Sequence, residues 1–375
     1  MNFKPALRAK QRGTVLITVI LMVALAALIA TDIGYRQKLD IKRTSSFLSR
    51  DQAFFLLLAA ENVVKQGLIL DLKQDNSPNN PVFKDVKGKE RWDEYNGQPI
   101  PVEGGVIQGE LIDLQSRFNI NSIMDDDSDI QAAQRALLKK LMTLKKVPDP
   151  NNINLSADML IERLVDWLDP DSDVTGTDGM EDLDYLTPEG AVRPAPYRTA
   201  NQLMFDASEL LLIEGFTAQN VKDLQDLICF LPVKTNLNLN TAEDDIITAI
   251  GGFNQELKTT REVGDGFDTL ADLFQKAYTP TAASAATPAN SPGSLTGSQS
   301  GNSNPTGAGG AAQQPVGNFS VNSEYFLLEA KAIINGKAVI MESIIYRPAI
   351  AAGSSNSDIK VKTISRKLID PLKRV

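Results

Sequence analysis

The segment RGTVLITVILMVALAALIA, residues 12–30, decides how this chain is organised. From Thr14 to Ala30 it carries no charge, and the residues that follow extend it toward the ~20 that a helix needs to cross a bilayer. The leader ahead of this run contains basic residues and no acid: Lys4, Arg8, Lys10 and Arg12. Because basic residues stay on the cytoplasmic side, we predict a single-pass membrane protein whose N-terminus is cytoplasmic and whose bulk is exported.

Gly13 lies between the basic leader and the apolar run. Three fates fit such an N-terminus: an uncleaved anchor, an ordinary secretory signal, or a leader cut on the cytoplasmic side. Leu28-Ile29-Ala30, at the end of the run, lacks the small residue that a secretory site has three places before the cut. Glycine at this place resembles the processing site of type IV pilins and pseudopilins, where a membrane-embedded peptidase cuts after the glycine. The resemblance makes residues 1–13 a cleaved leader and Thr14 the methylated first residue of the mature protein.

Thr18 is the informative departure from that superfamily. Most members carry glutamate five residues into the mature chain, and this chain has Thr18 there. In the family the glutamate neutralises the N-terminus of an adjoining subunit in the fibre, since an unpaired charge inside a bilayer is expensive. A subunit without it suits the end of a fibre better than its middle.

The composition excludes most enzyme classes. The 375-residue chain contains no histidine, which removes the commonest general base, the Ser-His-Asp and Cys-His nucleophiles, and histidine-bound zinc. It has 38 basic and 47 acidic residues, the opposite balance to that of an electrostatic nucleic-acid binder. The single cysteine, Cys229, stands in the apolar string DLQDLICFLP and is expected to be a buried thiol. We therefore expect neither an enzyme nor a nucleic-acid partner.

The membrane run continues into a long exported helix. Residues 33–72 contain no proline, and large apolar residues recur at spacings of three and four, as at Phe54, Leu57 and Leu58. We predict one transmembrane and extended helix over residues 14–72, with one face toward a globular head and another toward neighbouring subunits. Glu61, within this stretch, is interpreted as a solvated helix position.

Two distant β-rich regions predict one antiparallel sheet. The first is GVIQGELIDL, which starts at Gly105, and the second is EYFLLEAKAIINGKAVIMESIIYR, residues 324–347. Asn335-Gly336 within the second region is the strongest short hairpin signal. We predict that residues 73–121 and 321–347 together form an α/β head around this sheet.

The segment between these regions, residues 122–278, is predicted to be a helical insert. Its clearest helix is ADMLIERLVDWL, with Ser156 as N-cap. The element NLNLNTA, residues 236–242, resembles helix-hairpin-helix and SAM-like folds, but its acidic neighbours favour a structural role over DNA binding. Residues 279–320 form a linker too poor in large apolar side chains to fold, and residues 348–375 are expected to be a loose basic tail.

The densest group of carboxylates follows that helix, in DWLDPDSD and MEDLD. Asp169, Asp171 and Asp173 alternate as at the start of an EF-hand loop, but Val174 stands where the loop needs glycine and Glu181 comes one residue late. Hard oxygen ligands at this density predict a calcium site of a different geometry. A solvated acidic loop or a helix-capping cluster is the alternative. Paired-carboxylate glycosidase chemistry is disfavoured, because no environment that raises a pKa is evident.

The order of these features looks like that of the K-class minor pseudopilins of the type II secretion system. The features are the pilin leader without its glutamate, the sheet interrupted by an insert, the Asn119-Ile120-Asn121 turn, the D-W-L-D-x-D loop, the N-x-N-T-A element and the S-E-Y-F hairpin. The resemblance covers residues 13–347. It implies an α+β fold in which a long pilin-like N-terminal helix packs on a small antiparallel sheet that carries a large inserted all-α domain.

The same resemblance implies a non-enzymatic subunit that is anchored in the inner membrane and caps the tip of a periplasmic pseudopilus. Its partners would be the I-class and J-class minor pseudopilins, the major pseudopilin and the prepilin peptidase. The family's calcium-binding loop maps onto the acidic stretch, whose candidate ligands are Asp169, Asp171, Asp173, Glu181, Asp182 and Asp184.

Other classes of protein stay open at this point. A minor pilin of a type IV pilus or competence system shares the leader, but usually keeps the glutamate and has a disulfide-closed head. A membrane-anchored helix-hairpin-helix protein that binds nucleic acid would need a basic surface around residues 236–242, where this sequence is acidic. A calcium-dependent hydrolase would need a nucleophile or base constellation that the sequence does not present.

Overall fold

A computed structural model of the chain describes residues 12–76, 82–90, 92–186, 196–279, 314–349 and 360–369. The α-helices are α1 (Arg12–Asp75), α2 (Ser128–Leu144), α3 (Ala157–Leu168), α4 (Asp182–Leu186), α5 (Ala218–Leu224), α6 (Asp244–Ile250), α7 (Gln255–Glu262) and α8 (Leu270–Ala277). The strands are β1 (Ile100–Val102), β2 (Gly105–Asp113), β3 (Phe118–Asn119), β4 (Ile228–Cys229), β5 (Leu237–Asn238), β6 (Phe319–Ser320), β7 (Tyr325–Ile334), β8 (Lys337–Tyr346) and β9 (Lys362–Ile369). Short 3-10 helices span Asp93–Tyr95, Leu114–Ser116, Ile120–Met124 and Ala207–Leu212.

Helix α1 is the longest element of the protein. Its 64 residues span about 96 Å at ~1.5 Å per residue. Its N-terminal part contains an 18-residue window with a mean hydropathy of 2.5, none of it buried, and is long and apolar enough to be a single-pass membrane anchor. The helix includes the whole of the predicted 14–72 stretch. The predicted leader, except for its last two residues, lies outside the described part of the chain.

The main sheet is antiparallel, with the strand order β1-β2-β7-β8-β9. Strand β2 pairs with β7 along its whole length, from Gly105 opposite Ile334 to Asp113 opposite Phe326. Strands β7 and β8 are joined by Asn335-Gly336, whose φ angles of 49° and 74° are those of a type I′ turn. The predicted hairpin and the pairing of the two distant β-rich regions are confirmed.

One face of α1 covers this sheet. Ala53, Leu57 and Leu68 are completely buried and pack with Phe326 and Met341. Contacts at this helical spacing turn one side of α1 toward the sheet and leave the opposite side free of it. A long N-terminal helix on a small antiparallel sheet is the architecture that the sequence predicted, while the SAM-like character of the insert stays a prediction.

The insert has a core of its own, built around Leu141, Leu164, Trp167 and Phe267. Ser156 caps α3 as predicted, because its hydroxyl accepts a hydrogen bond from the backbone N of Met159. Two short parallel pairings, β3 with β4 and β5 with β6, connect the insert to the chain that enters and leaves it.

The insert is less purely helical than predicted. Helix α5 ends at Leu224, and the chain then forms β4 within the segment that was predicted to be helical. Cys229 lies in β4, where it is buried as expected. The end of the predicted linker is also structured, because Phe319–Ser320 pairs with β5, while residues 280–313 lie outside the described residues.

The expectation of a loose tail is wrong for Lys362–Ile369, which form β9 and pair with β8. The interpretation of Glu61 as a solvated position is wrong for the same reason. Glu61 is buried in α1, and Arg366 of β9 forms an ion pair with it at 2.6 Å. The partner of this carboxylate lies 305 positions away, so the sequence around Glu61 gives no sign that it is buried and paired.

A buried arginine joins α1, the sheet and the loop that follows α1. Arg347, directly after β8, donates from Nη1 to Asp71 at 2.7 Å and from Nη2 to the two carboxylate oxygens of Asp85 at 2.5 and 2.6 Å. Ser323 extends this network, since its backbone N donates to Asp85 at 2.7 Å and its hydroxyl donates to Asp113 at 2.6 Å. These contacts hold the place where the insert leaves and rejoins the sheet against the C-terminal end of α1.

We expect Arg347→Gln to lower the free energy of unfolding by about 3–5 kcal/mol, because it leaves two buried carboxylates without their cation. Urea unfolding followed by circular dichroism measures this. Lys84→Gln is the matched control, since it breaks a partly exposed ion pair with Asp268 and should cost less than about 1 kcal/mol. An equal loss of unfolding free energy in the two variants would contradict the structural role assigned to Arg347.

Candidate functional site

The acidic loop is held against the last turns of α3. The backbone N of Thr175 donates to Asp166 Oδ1 at 2.9 Å, and the backbone N of Asp178 donates to Glu162 Oε2 at 2.8 Å. Two carboxylates of α3 therefore bind the loop by its backbone and fold it back over the end of the helix.

This fold brings the two ends of the loop together. Asp169 directly follows α3 and Glu181 directly precedes α4, and together with Asp171 they offer carboxylate oxygens within 4.8 Å of one another. Asp169 and Glu181 are buried, whereas Asp171 is exposed. Asp166 is completely buried, and its charge acts on both Asp169 and Glu181. We call Asp166, Asp169, Asp171 and Glu181 the acidic cluster.

Three oxygen atoms of the acidic cluster are buried without a hydrogen-bond partner in the described part of the chain: Asp166 Oδ2, Asp169 Oδ1 and Glu181 Oε1. Among the described residues, no lysine or arginine forms an ion pair with any member of the cluster. Burying an unpaired carboxylate is costly, so such a group takes up either a cation or protons.

The environment raises the pKa of two carboxyls in the cluster. Burial, together with the charges of Asp166 and Asp169, raises the pKa of Glu181 to about 7. Burial and the charges of Asp171 and Asp166 raise the pKa of Asp169 to about 6. Both values lie above those of an unfolded chain, so the cation-free folded protein binds more protons between about pH 4 and 7. The contribution of Asp169 and Glu181 to the stability of the folded protein therefore falls as the pH rises through that window.

The other three predicted ligands do not join the cluster. The side chain of Asp173 is exposed. Asp182 forms an ion pair with Arg198 at 2.5 Å and accepts a hydrogen bond from the hydroxyl of Thr199 at 2.9 Å. Asp184 accepts a hydrogen bond from the backbone N three positions before it, at 3.0 Å. Asp182 and Asp184 thus stabilise the end of the loop and the chain after it.

Two residues outside the predicted set belong to the site. In the sequence, the one feature that marks Asp166 is that it is a single acid within the otherwise apolar last turn of α3. Asn201 donates from Nδ2 to the backbone O of Asp171 at 3.0 Å, and its buried Oδ1 has no partner among the described residues. Nothing in the local sequence marks Asn201, because its place is set by how residues 196–206 fold. A Cβ atom on Gly179 would lie 2.2 Å from Asp166 Oδ2, so the fit of the loop over Asp166 requires glycine.

The cluster is suited to a hard cation. Calcium takes six to eight oxygen ligands, mainly carboxylate, amide and backbone oxygens. Three carboxylates of the cluster bring oxygens within 4.8 Å of one another, and Asp166 adds a fourth carboxylate whose charge acts on two of them. The side-chain amide of Asn201 binds the backbone oxygen of Asp171. The donor types and the unpartnered buried oxygens therefore fit calcium.

A second group of acids, Asp71, Asp85 and Glu90, also brings carboxylate oxygens within 4.8 Å of one another. Here Arg347 donates to two of the three residues at 2.5 to 2.7 Å. The guanidinium group supplies the positive charge from within the protein, so this second group differs in kind from the acidic cluster.

The NLNLNTA element is used inside the fold. Asn238 and Asn240 are completely buried, and their side-chain amides donate to Ser323 Oγ at 2.8 Å and to the backbone O of Phe267 at 2.9 Å. Thr241 donates its hydroxyl to Asp113 at 2.5 Å. The element therefore joins the insert to the sheet and presents no amide-lined surface for nucleic-acid phosphates.

Comparison with known proteins identifies the family. The family described as "Type II secretion system (T2SS), protein K" matches residues 116–233. The type II secretion system protein K of Pectobacterium carotovorum subsp. carotovorum is 32% identical over 239 residues, which cover 63% of this chain and 68% of that protein. The chain belongs to the type II secretion system protein K family. The protein K of Aeromonas hydrophila is also 32% identical, over 251 residues that cover 63% of this chain and 69% of that protein.

A solved structure has the same fold as this K-family chain. It is the crystal structure of the GspK-GspI-GspJ complex from the type 2 secretion system of enterotoxigenic Escherichia coli. The match has a TM-score of 0.62 at 21% identity and covers 88% of this chain and 99% of that chain. The predicted family is confirmed: this K-family protein is a minor pseudopilin of type II secretion, a structural component of the system. The type IV pilin and nucleic-acid alternatives are not favoured.

Proposed function

We propose that this K-family pseudopilin is a non-enzymatic subunit that caps the tip of the pseudopilus. The position of the insert carries the proposal. The insert leaves the sheet after Asp113, at the end of the sheet that Arg347 ties to Asp71 near the C-terminus of α1. The opposite end of the sheet, at Asn335, contacts Ser49, which is closer to the membrane anchor. The insert therefore lies at the end of the head farthest from the bilayer, where it would block the stacking of a further subunit above this one.

Thr18 supports the same position. Its hydroxyl donates to the backbone O of Val15 at 2.8 Å, so its hydrogen-bonding capacity is used within α1. It carries no charge to pair with the N-terminus of a subunit above it, and an unpaired charge in the bilayer is expensive. A subunit with Thr18 therefore lacks the negative charge that would stabilise the N-terminus of a subunit above it.

The face of α1 opposite the sheet fits helical partners. Its large exposed residues recur every seven or eight positions and include Ile41, Leu48, Phe55, Val63 and Leu70. An apolar stripe with this repeat is the pattern by which one helix packs along another. We assign it to contact with the I-class and J-class minor pseudopilins and the major pseudopilin. The GspK-GspI-GspJ composition of the related complex supports the first two partners.

The acidic cluster is proposed to bind calcium as a structural ion. Asp166, Asp169, Asp171 and Glu181 would hold it, with Asn201 supporting Asp171. The ion would supply the positive charge that the buried carboxylates lack. It would hold both ends of the loop against α3, and no step of chemistry is assigned to it.

The leader is proposed to be the substrate of the prepilin peptidase in the inner membrane. With the N-terminus in the cytoplasm, the head and insert are periplasmic. Mass spectrometry of the protein purified from its own membranes should show a chain that begins at N-methylated Thr14, while Gly13→Val should retain residues 1–13. A wild-type chain that begins at Met1 or beyond Ala30 would contradict this processing.

Calcium should raise the temperature of unfolding of chelator-treated protein, by more at pH 8 than at pH 6, because protons compete for Glu181 and Asp169. At a calcium concentration a hundredfold above Kd, the gain is about 2.7 kcal/mol. Differential scanning calorimetry measures this. Asp166→Asn should remove most of the gain, and Asp129→Asn, at an exposed acid of α2, is the matched control. If calcium has no effect, or if Asp166→Asn keeps the full gain, the calcium site is refuted.

Immunogold labelling should place the protein at one end of each fibre. The fibres are pseudopili sheared from cells that overproduce the major pseudopilin, and an antibody against that subunit should label the whole fibre as the control. We expect end labelling because the insert would block the stacking of a subunit above this one. Label distributed along the fibre would rule out the capping position.

A further inference from the structure

Strand β9 contacts three separate parts of the protein. Its backbone pairs with β8 from Ile340 to Tyr346. Its side chains reach α1 through Arg366 and the insert through Lys367, which forms an ion pair with Asp206. Asp206 is the N-cap of the 3-10 helix Ala207–Leu212. Strand β9 thus connects α1, the sheet and the insert.

The contact with α1 is centred on a buried carboxylate. Arg366 binds Glu61 through two hydrogen bonds, from Nε to Oε2 at 2.6 Å and from Nη2 to Oε1 at 2.9 Å. The hydroxyl of Thr363 donates to Oε1 at 2.5 Å. Ser343 of β8 and Lys65 of α1 complete the set at 3.1 and 2.6 Å. Glu61 is 1% exposed, so three of its five contacts, and one of its two cations, come from β9.

Apart from its backbone pairing with β8, the rest of β9 buries little apolar surface. It is an outer strand of the sheet, and most of its side chains are exposed, including Ile364 and Leu368. Its register against β8 is interrupted between Ile344 and Ile345. Elements with few buried apolar contacts open at a lower free energy than the core of the same protein. The attachment of β9 therefore depends on its charged contacts more than on apolar burial.

We infer that the edge of β8, together with Glu61 of α1 beside it, is a strand-binding site, whose ligand is the chain's own C-terminal strand acting as a releasable latch. Glu61 recognises the guanidinium group of Arg366, and a bidentate carboxylate contact is specific for arginine. When the latch is closed, α1 and the insert are connected through β9. When it opens, Asp206 loses Lys367 and the edge of β8 becomes free. The latch therefore controls how rigidly the insert is connected to α1.

Hydrogen–deuterium exchange of the full-length protein in detergent, read by mass spectrometry, tests the latch. Arg366→Gln leaves Glu61 buried without its bidentate partner. We expect amide exchange to accelerate about tenfold or more in residues 362–369 and 340–346, with α3 unchanged. Lys362→Gln is the matched control, because it removes a charge from an exposed side chain of the same strand and should change exchange by less than about twofold.

A second pair of variants separates recognition from general stability. Arg366→Lys keeps the charge but loses the bidentate geometry, so it should accelerate exchange by an intermediate factor. The double variant Glu61→Gln with Arg366→Gln should exchange more slowly in β9 than Arg366→Gln alone, because the buried carboxylate that lost its bidentate partner is gone and only Lys65 remained to pair with it. If Arg366→Gln matches Lys362→Gln, or if α3 and β2 accelerate as much as β9, the latch is refuted.

Discussion

The pairing of β2 with β7 is the constraint on which the rest of the structure depends. Asp113 and Ser323 hydrogen-bond across 210 positions of sequence, and the two strands are matched residue by residue. Everything between them must leave and return at one end of the sheet. The entropic cost of closing a loop rises only slowly with the length of the loop. Closing β2 on β7 around a large insert therefore costs little more free energy than closing them around a short one. Its attachment is then made specific by buried polar groups, including Thr241 and Gln115.

The two groups of acids show how the same residue type can serve different purposes. Around Asp71 and Asp85, the chain supplies Arg347 as an internal cation, and the result is a fixed connection between α1 and the sheet. Around Asp166 and Glu181, the described chain supplies no paired cation, and buried oxygens stay without partners. Both arrangements bury carboxylates, but only the second leaves a charge deficit that a ligand can fill. This difference, more than the number of acids, distinguishes a structural ion pair from a candidate metal centre.

Local patterns in the sequence predicted those parts of the fold that local physics controls. Asn335-Gly336 predicted a turn because both residues tolerate positive φ, and Ser156 predicted a helix start because its hydroxyl can cap a free backbone N–H. The spacing of apolar residues predicted α1 for the same kind of reason. The loop acids could not be sorted this way, because the role of Asp182 depends on Arg198, in a segment that folds back from beyond α4. Strand β9 was missed because its pairing with β8 and its contact with Glu61 are both long-range.

The two faces of α1 allow assembly and latching to be independent. Ala53, Leu57 and Glu61 repeat every four residues and are buried under the sheet, whereas Phe55 and Val63 lie on the opposite side and are exposed. At about 100° per residue, Phe55 lies about 200° from Leu57 around the helix axis. A partner helix that packs on the exposed stripe therefore does not displace Arg366 from Glu61. Opening of β9 removes contacts only from the buried side, so the insert can loosen while α1 stays in the fibre.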